Sequence, residues 1–145
     1  MTDAVFEVKG ASARATAWAS GPWDPGLMHG GAPSALIAWA AEQVESPAPM
    51  RIARLTIDLL RPVPVAEVTV EMNVLRQGRK IQLLEVRLSA AGVEVTRGTV
   101  LKVRETDLPL PGDHLPGLDE APPEAAKPGE TRMGSVNNFG GNFEI

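Results

Sequence analysis

The sequence predicts an α+β domain in which one long helix is wrapped by a curled antiparallel sheet. Three observations lead there. Residues from about Gly31 to Glu45 carry the one long helical pattern in the chain, with Leu36, Trp39 and Ala40 at helical spacing and Ala35, Ile37 and Ala38 filling most of the rest. Four strand-like runs follow it, joined by short turns, and strands joined that way pair antiparallel. The helix is apolar nearly all round, so it is expected to be buried on nearly all sides, which requires the sheet to curl around it.

Each element has its own signal. Val5 to Lys9 reads as a short strand that Gly10 breaks. Ala13 to Ala19 reads as a second, its alanines alternating with Arg14, Thr16 and Trp18. Ser20 to Met28 is a loop rich in turn residues (Gly21, Pro22, Asp24, Pro25, Gly26) that delivers the chain to His29. Pro33 fits the first helical turn, where its missing N–H costs no helix bond, and Ser46-Pro47-Ala48-Pro49 stops the helix. In the next strand, Arg51 to Leu60, Leu55, Ile57 and Leu59 alternate with Arg54, Thr56 and Asp58. Val68, Val70, Met72 and Val74 then alternate with Glu67, Thr69, Glu71 and Asn73, a half-buried pattern. Gln77-Gly78 marks a tight hairpin into Gln82 to Leu88, and Ala90-Ala91-Gly92 the turn into the last strand, Val93 to Val103. There Val93, Val95, Leu101 and Val103 share a phase with Arg97 and Thr99, so either a bulge near Gly98 shifts the register or polar groups face inward.

Composition narrows the function classes. A chain of 145 residues with 43% apolar and 22% charged residues fits one soluble domain with a real core. The net charge of −4 gives no general case for nucleic-acid binding. The absence of cysteine excludes disulfides, a thiol nucleophile and thiolate metal ligation. The two histidines, His29 and His114, stand far apart, and no metal site is expected. Nothing resembles a phosphate loop or a dinucleotide fingerprint, and no cofactor is expected. No stretch approaches the roughly 18 apolar residues of a membrane span. No membrane partner is expected, and with no basic-then-apolar leader at Met1 the expected location is cytoplasmic.

The expected organisation is a domain over residues 1–104, a proline-rich linker over 105–131 and a strand-like tail over 132–145. The linker is spaced by Pro109, Pro111, Pro116, Pro122, Pro123 and Pro128. The tail holds Phe139 and Phe143 and stops at Ile145, so it is expected either to dock on a neighbour or to open a second unit.

His29-Gly30-Gly31 is the candidate site. The first N–H groups of a helix lack internal partners and the helix dipole favours negative charge there. The plain structural reading is a histidine that holds the turn and glycines that allow close packing. Asp24, five residues before His29, is either a turn residue or a group facing the site. Arg76, Arg79 and Lys80 form a basic hairpin tip, either solvated or suited to phosphates.

These pieces resemble a known family. Asp24-Pro25-Gly26-Leu27-Met28-His29-Gly30-Gly31 is similar to the loop that leads into the central helix of hotdog-fold acyl-CoA thioesterases. Leu55-Thr56-Ile57-Asp58-Leu59-Leu60-Arg61-Pro62 resembles their next strand, Gln77-Gly78-Arg79-Lys80 their hairpin, and Gly92 to Thr99 the start of their last strand. The likeness covers about residues 5 to 104 and is nearest to the N-terminal half of double-hotdog acyl-CoA thioesterase II type proteins. It implies a hotdog fold and binding or hydrolysis of a thioester of CoA or of an acyl carrier. It also implies assembly as a homo-oligomer or with another hotdog unit. Asp24, His29 and Gly31 would serve catalysis, the Gly31 N–H polarising the thioester carbonyl. Gly30, Arg76, Arg79 and Lys80 would bind substrate. The family's carboxylate, nine residues after the histidine, is Ala38 here, with Glu42 one turn further. That departure implies the alternative of a non-catalytic hotdog subunit that binds acyl-CoA or pairs with a catalytic partner.

Overall fold

A computed structural model describes residues 4–107 and Pro109. Six strands form one antiparallel sheet: β1 (Phe6–Lys9), β2 (Ser12–Ala15), β3 (Met50–Leu59), β4 (Glu67–Gln77), β5 (Ile81–Ala90) and β6 (Val93–Arg104). Their spatial order is β1-β2-β4-β5-β6-β3. One α-helix, α1 (Gly31–Gln43), lies across the concave face, mainly on β5 and β6. The predicted helix-and-sheet architecture is what the chain adopts. Apart from residues 105–107 and Pro109, the expected linker and tail lie outside the described residues.

The helix sits low because β6 offers no side chain beneath it. A Cβ on Gly98 would stand 2.4 Å from Ile37 Cγ2 and 3.2 Å from Ile57 Cδ1. Glycine there lets Ile37, fully buried, rest directly on the sheet. Leu36, Ala40 and Ala41 pack alongside it, and from the sheet come Val68, Val70, Leu84, Val86, Leu88 and Val100.

The far end of the helix is fastened by polar groups. Gln82 and Lys102 stand opposite each other on β5 and β6, both buried and both facing the helix. Lys102 Nζ donates to the carbonyls of Ala41 (3.1 Å) and Val44 (2.8 Å). These are carbonyls that a helix end leaves without internal partners, and a cation suits that end of the dipole. Burial pushes the Lys102 ammonium below its usual range, and Glu42 partly offsets this. Gln82 Nε2 donates to Glu45 O (2.8 Å) and Gln77 Oε1 (2.7 Å), and its Oε1 accepts from Ser46 Oγ (3.2 Å).

Four expectations are corrected. The second strand is Ser12–Ala15, not Ala13 to Ala19: the Thr16 side chain accepts the Trp18 N–H and turns 17–19 into a 3-10 turn. The helix ends at Gln43 rather than Glu45, where Val44 goes extended. On β6 the bulge lies at Val95, because Leu88 faces Thr96 while Ser89 faces Glu94. The inward phase is therefore Thr96, Gly98, Val100 and Lys102, and Arg97 turns outward to fork onto Glu94 (2.7 and 3.0 Å). The Arg97 guanidinium holds the Glu94 carboxyl below its usual range. Finally, the helix is not covered all round. Ala35, Trp39 and Glu42 form an exposed stripe, flanked by half-buried Ala38.

The uncovered stripe faces a second uncovered surface. Among the described residues β3 is a sheet edge, paired only to β6. Its inward residues Leu55 and Leu59, opposite Val100 and Thr96, stay 37% and 54% exposed. The concave face thus extends past the helix as an apolar strip that no other described element covers.

Two outcomes are expected in urea unfolding. Gly98→Ala loses about 1–3 kcal/mol, because the added methyl lifts Ile37 off β6. Lys102→Ala loses about 1–3 kcal/mol by stranding the Ala41 and Val44 carbonyls.

Candidate functional site

The mouth of α1 is assembled by a short, heavily bonded loop. Gly21 N–H donates to Leu27 O (2.8 Å) and Leu27 N–H to Asp24 O (3.1 Å). Asp24 Oδ1 accepts the Gly26 N–H (2.8 Å), which makes Asp24 an Asx-turn residue at the exposed tip. Ser20 bridges to Met28 and Leu27 to Pro64, and His29 N–H donates to Ala19 O (2.9 Å). A side chain at Gly21 would press on the His29 backbone, 3.4 Å away, so the loop folds tightly against the start of the helix.

His29 closes that start twice over. Its carbonyl accepts the Ala32 N–H (2.9 Å) and its Nδ1 accepts the Gly31 N–H (3.0 Å). An accepting Nδ1 places the ring's proton on Nε2. The imidazole is in effect the N-cap, a role that Gly30, with no side chain, cannot take. The Gly31 N–H assigned to a substrate carbonyl is therefore engaged by His29 in this state. Pro33 has no N–H, and the Ser34 N–H reaches back to Gly30 O (3.4 Å). The Gly30 N–H is the mouth donor without a partner among the described residues. A Cβ on Gly30 would stand 2.9 Å from Leu59 Cδ1, so the edge strand crowds the mouth.

The predicted site residues do not all meet. His29, Gly30 and Gly31 form the mouth, while Asp24 stands at the exposed tip of the loop that leads into it. Arg76, Arg79 and Lys80 are exposed at the opposite end of the helix: Lys80 O accepts the Arg104 N–H, and neighbouring Gln82 and Lys102 hold the helix C-terminus. A 13-residue helix separates the ends by roughly 20 Å. Ala38 is half-buried on the helix and Glu42 exposed a turn beyond, toward the far end.

Two features escaped sequence reasoning. Trp23 stands at the loop tip, 86% exposed, its ring within 7° of parallel to the His29 ring at 6.5 Å between centroids. Its signal was an aromatic inside a loop of turn residues, where no core could receive it. An open concavity of about 950 Å³ lies at the far end of α1, lined in part by Glu42, Glu45, Lys102 and Glu105. Its three carboxylates outnumber its cations, of which Lys102 is committed to helix carbonyls and Arg51 is paired with Glu105, so it does not suit the phosphates of CoA. Among the described residues no acidic or histidine cluster could hold a metal, and no helix is long and apolar enough to cross a membrane.

Comparison with known proteins agrees with this geometry. A family model described as the acyl-CoA thioesterase N-terminal domain matches residues 19–103. Among solved structures, a phenylacetic acid degradation-related protein from Ralstonia eutropha JMP134 superposes with a TM-score of 0.54 at 22% identity, covering 68% of this chain and 83% of that one. A Bacillus halodurans protein solved with CoA gives 0.56 at 16% identity, covering 67% of each chain. A hotdog-fold protein of unknown function from Alicyclobacillus acidocaldarius gives 0.61 at 20% identity, covering 83% of this chain and 44% of that one. At these identities the likeness is one of fold. No curated protein matches the sequence.

If His29 is the cap, its loss is graded by what replaces Nδ1. His29→Ala is expected to lower stability by about 1 kcal/mol, whereas His29→Asn, which keeps an acceptor near the Gly31 N–H, stays close to wild type. Equal losses in thermal unfolding would remove the capping role.

Proposed function

The chain belongs to the acyl-CoA thioesterase N-terminal domain family and has its hotdog fold, and from that premise we propose that it is the acyl-CoA-binding half of a two-unit thioesterase site. The thioester carbonyl docks at the mouth of α1, and the hydrolytic carboxylate comes from a different hotdog unit. The observation that carries this reading is the mouth itself. It presents a free backbone donor at Gly30 beside Gly31, yet Ala38 stands where a carboxylate would act and Asp24 is tied into its own turn.

Hydrolysis adds water to the thioester carbon, places negative charge on the carbonyl oxygen and expels the CoA thiolate. Backbone N–H groups preorganised at a helix N-terminus stabilise that oxygen without reorganising. The Gly30 N–H is ready, and the Gly31 N–H becomes so when His29 swings off it. Among the described residues the mouth has no group placed to take the proton from water, with alanine at 38 and Asp24 tied into its own turn. The exposed strip of Ala35, Trp39, Leu55 and Leu59 offers the surface on which a second unit would bring that group. Such packing is also how a distant basic hairpin could serve the mouth: Arg76, Arg79 and Lys80 of one unit reach the CoA phosphates of another. That the Bacillus halodurans neighbour was solved with CoA supports CoA as the ligand.

An acyl-CoA panel with free-thiol detection, alongside calorimetric binding and native mass, tests this. The purified chain is expected to bind acyl-CoA and release no thiol, and Ala38→Asp to gain measurable release. Trp39→Glu is expected to disrupt any assembly seen by native mass. Turnover by the wild-type chain alone would refute the division of labour, and absence of binding would refute the ligand.

A further inference from the structure

The sheet floor beneath the mouth holds a polar group that the fold does not use. Thr96 on β6 is fully buried, and its Oγ1 has no hydrogen-bond partner among the described residues. A buried hydroxyl without a partner destabilises a protein, because its hydrogen bonds to water are lost and not replaced. Such groups are rare and call for a reason. Contrast Gln82 and Lys102, the other polar side chains on this floor, which are fully engaged with the helix C-terminus.

Position supplies the reason. Thr96 is the first inward residue after the Val95 bulge, and that bulge sets which side chain of β6 points at the helix here. It stands directly opposite Leu59 of the edge strand, on the same face. Leu59 in turn reaches the mouth, its Cδ1 lying 2.9 Å from where a Cβ on Gly30 would stand. Directly opposed side chains sit about 5 Å apart, so Leu59 spans the gap between Thr96 and Gly30. Leu59 is also 54% exposed, so packing within this chain does not lock its side chain. Displacing Leu59 would open the space that separates Thr96 from the Gly30 N–H.

We propose that Thr96 is a carbonyl-binding residue: its hydroxyl donates to the oxygen of a bound acyl thioester together with the Gly30 N–H, with Leu59 as the side chain that yields to admit it. The inference rests on the reading of the mouth as an acyl-CoA site. It adds a side-chain donor, on the sheet, to a site otherwise built from helix backbone. A hydroxyl can reorient toward developing charge, and a donor in a water-excluded floor acts with little screening.

Two CoA analogues separate this from a structural role. One is a ketone, with methylene in place of sulfur and the carbonyl kept. The other is a thioether, with sulfur kept and the carbonyl removed. Binding of each to the full chain is measured by calorimetry. Thr96→Val is expected to weaken the ketone about tenfold, the worth of one hydrogen bond, and to leave the thioether unchanged. Thr96→Ser is expected to restore ketone affinity. The Thr96→Val chain should melt at or above the wild-type temperature, because an unpaired hydroxyl is gone. Equal weakening of both analogues, or a Thr96→Val chain that melts lower or does not fold, would show that the hydroxyl serves the fold, and the proposal fails. Wild type that binds both analogues, with Thr96→Val binding the ketone equally well, overturns this inference alone. Wild type that binds neither overturns the acyl-CoA reading and this inference together.

Discussion

The close seating of α1 on β6 is the constraint from which the rest follows. With a bare backbone at Gly98, Ile37 descends onto the sheet and the helix axis is set at one height and one place along β6. From there the two ends of the helix are determined. Its C-terminus arrives over Gln82 and Lys102, and its N-terminus arrives against Leu59, the residue opposite Thr96. A larger residue at 98 would shift both ends at once, because a close-packed interior transmits displacement rather than absorbing it.

The two ends are finished by different chemistry. At the C-terminus the sheet supplies side chains that fasten the helix: a buried ammonium and a buried amide satisfy carbonyls of the helix end and of the segment leaving it. At the N-terminus the loop supplies the fastening through His29, and it does so with a ring that can leave. A cap made by a side chain is reversible on the timescale of a rotamer change. In the proposed site the Gly31 N–H would be held in reserve, satisfied by His29 until a carbonyl oxygen competes for it. The Asx turn at Asp24 and the backbone bonds around it keep the loop in place while the ring moves.

Most of the fold was legible because local and global signals agree. Helical spacing around Leu36, a proline in the first turn and alternation in Val68 to Leu88 all point to the same architecture. The failures share a cause. Apolar spacing shows which residues avoid water, and cannot distinguish burial in one's own core from burial against a second unit. The alanine-rich helix therefore read as wrapped all round, although Ala35 and Trp39 are uncovered. Phase errors arose at β6 because a bulge at Val95 inverts the strand without leaving a mark such as glycine or proline at that position. The polar residues on its inward face, Thr96 and Lys102, were then read as outward. The site was half legible: the mouth is written in His29-Gly30-Gly31, but the occupation of the Gly31 N–H by His29 depends on ring placement, which spacing does not carry.

The same ambiguity explains why the chain can look like an enzyme and lack its carboxylate. Among the described residues the helix leaves one apolar face open and the sheet one long edge unpaired, and the helix mouth borders that side. Residues that complete it are then free to lie on either of two units. In the proposed site, alanine at 38 removes one group while leaving the backbone donors of the helix mouth in place. Thr96 fits that division, since a donor in the sheet floor serves the carbonyl oxygen whichever unit supplies the base.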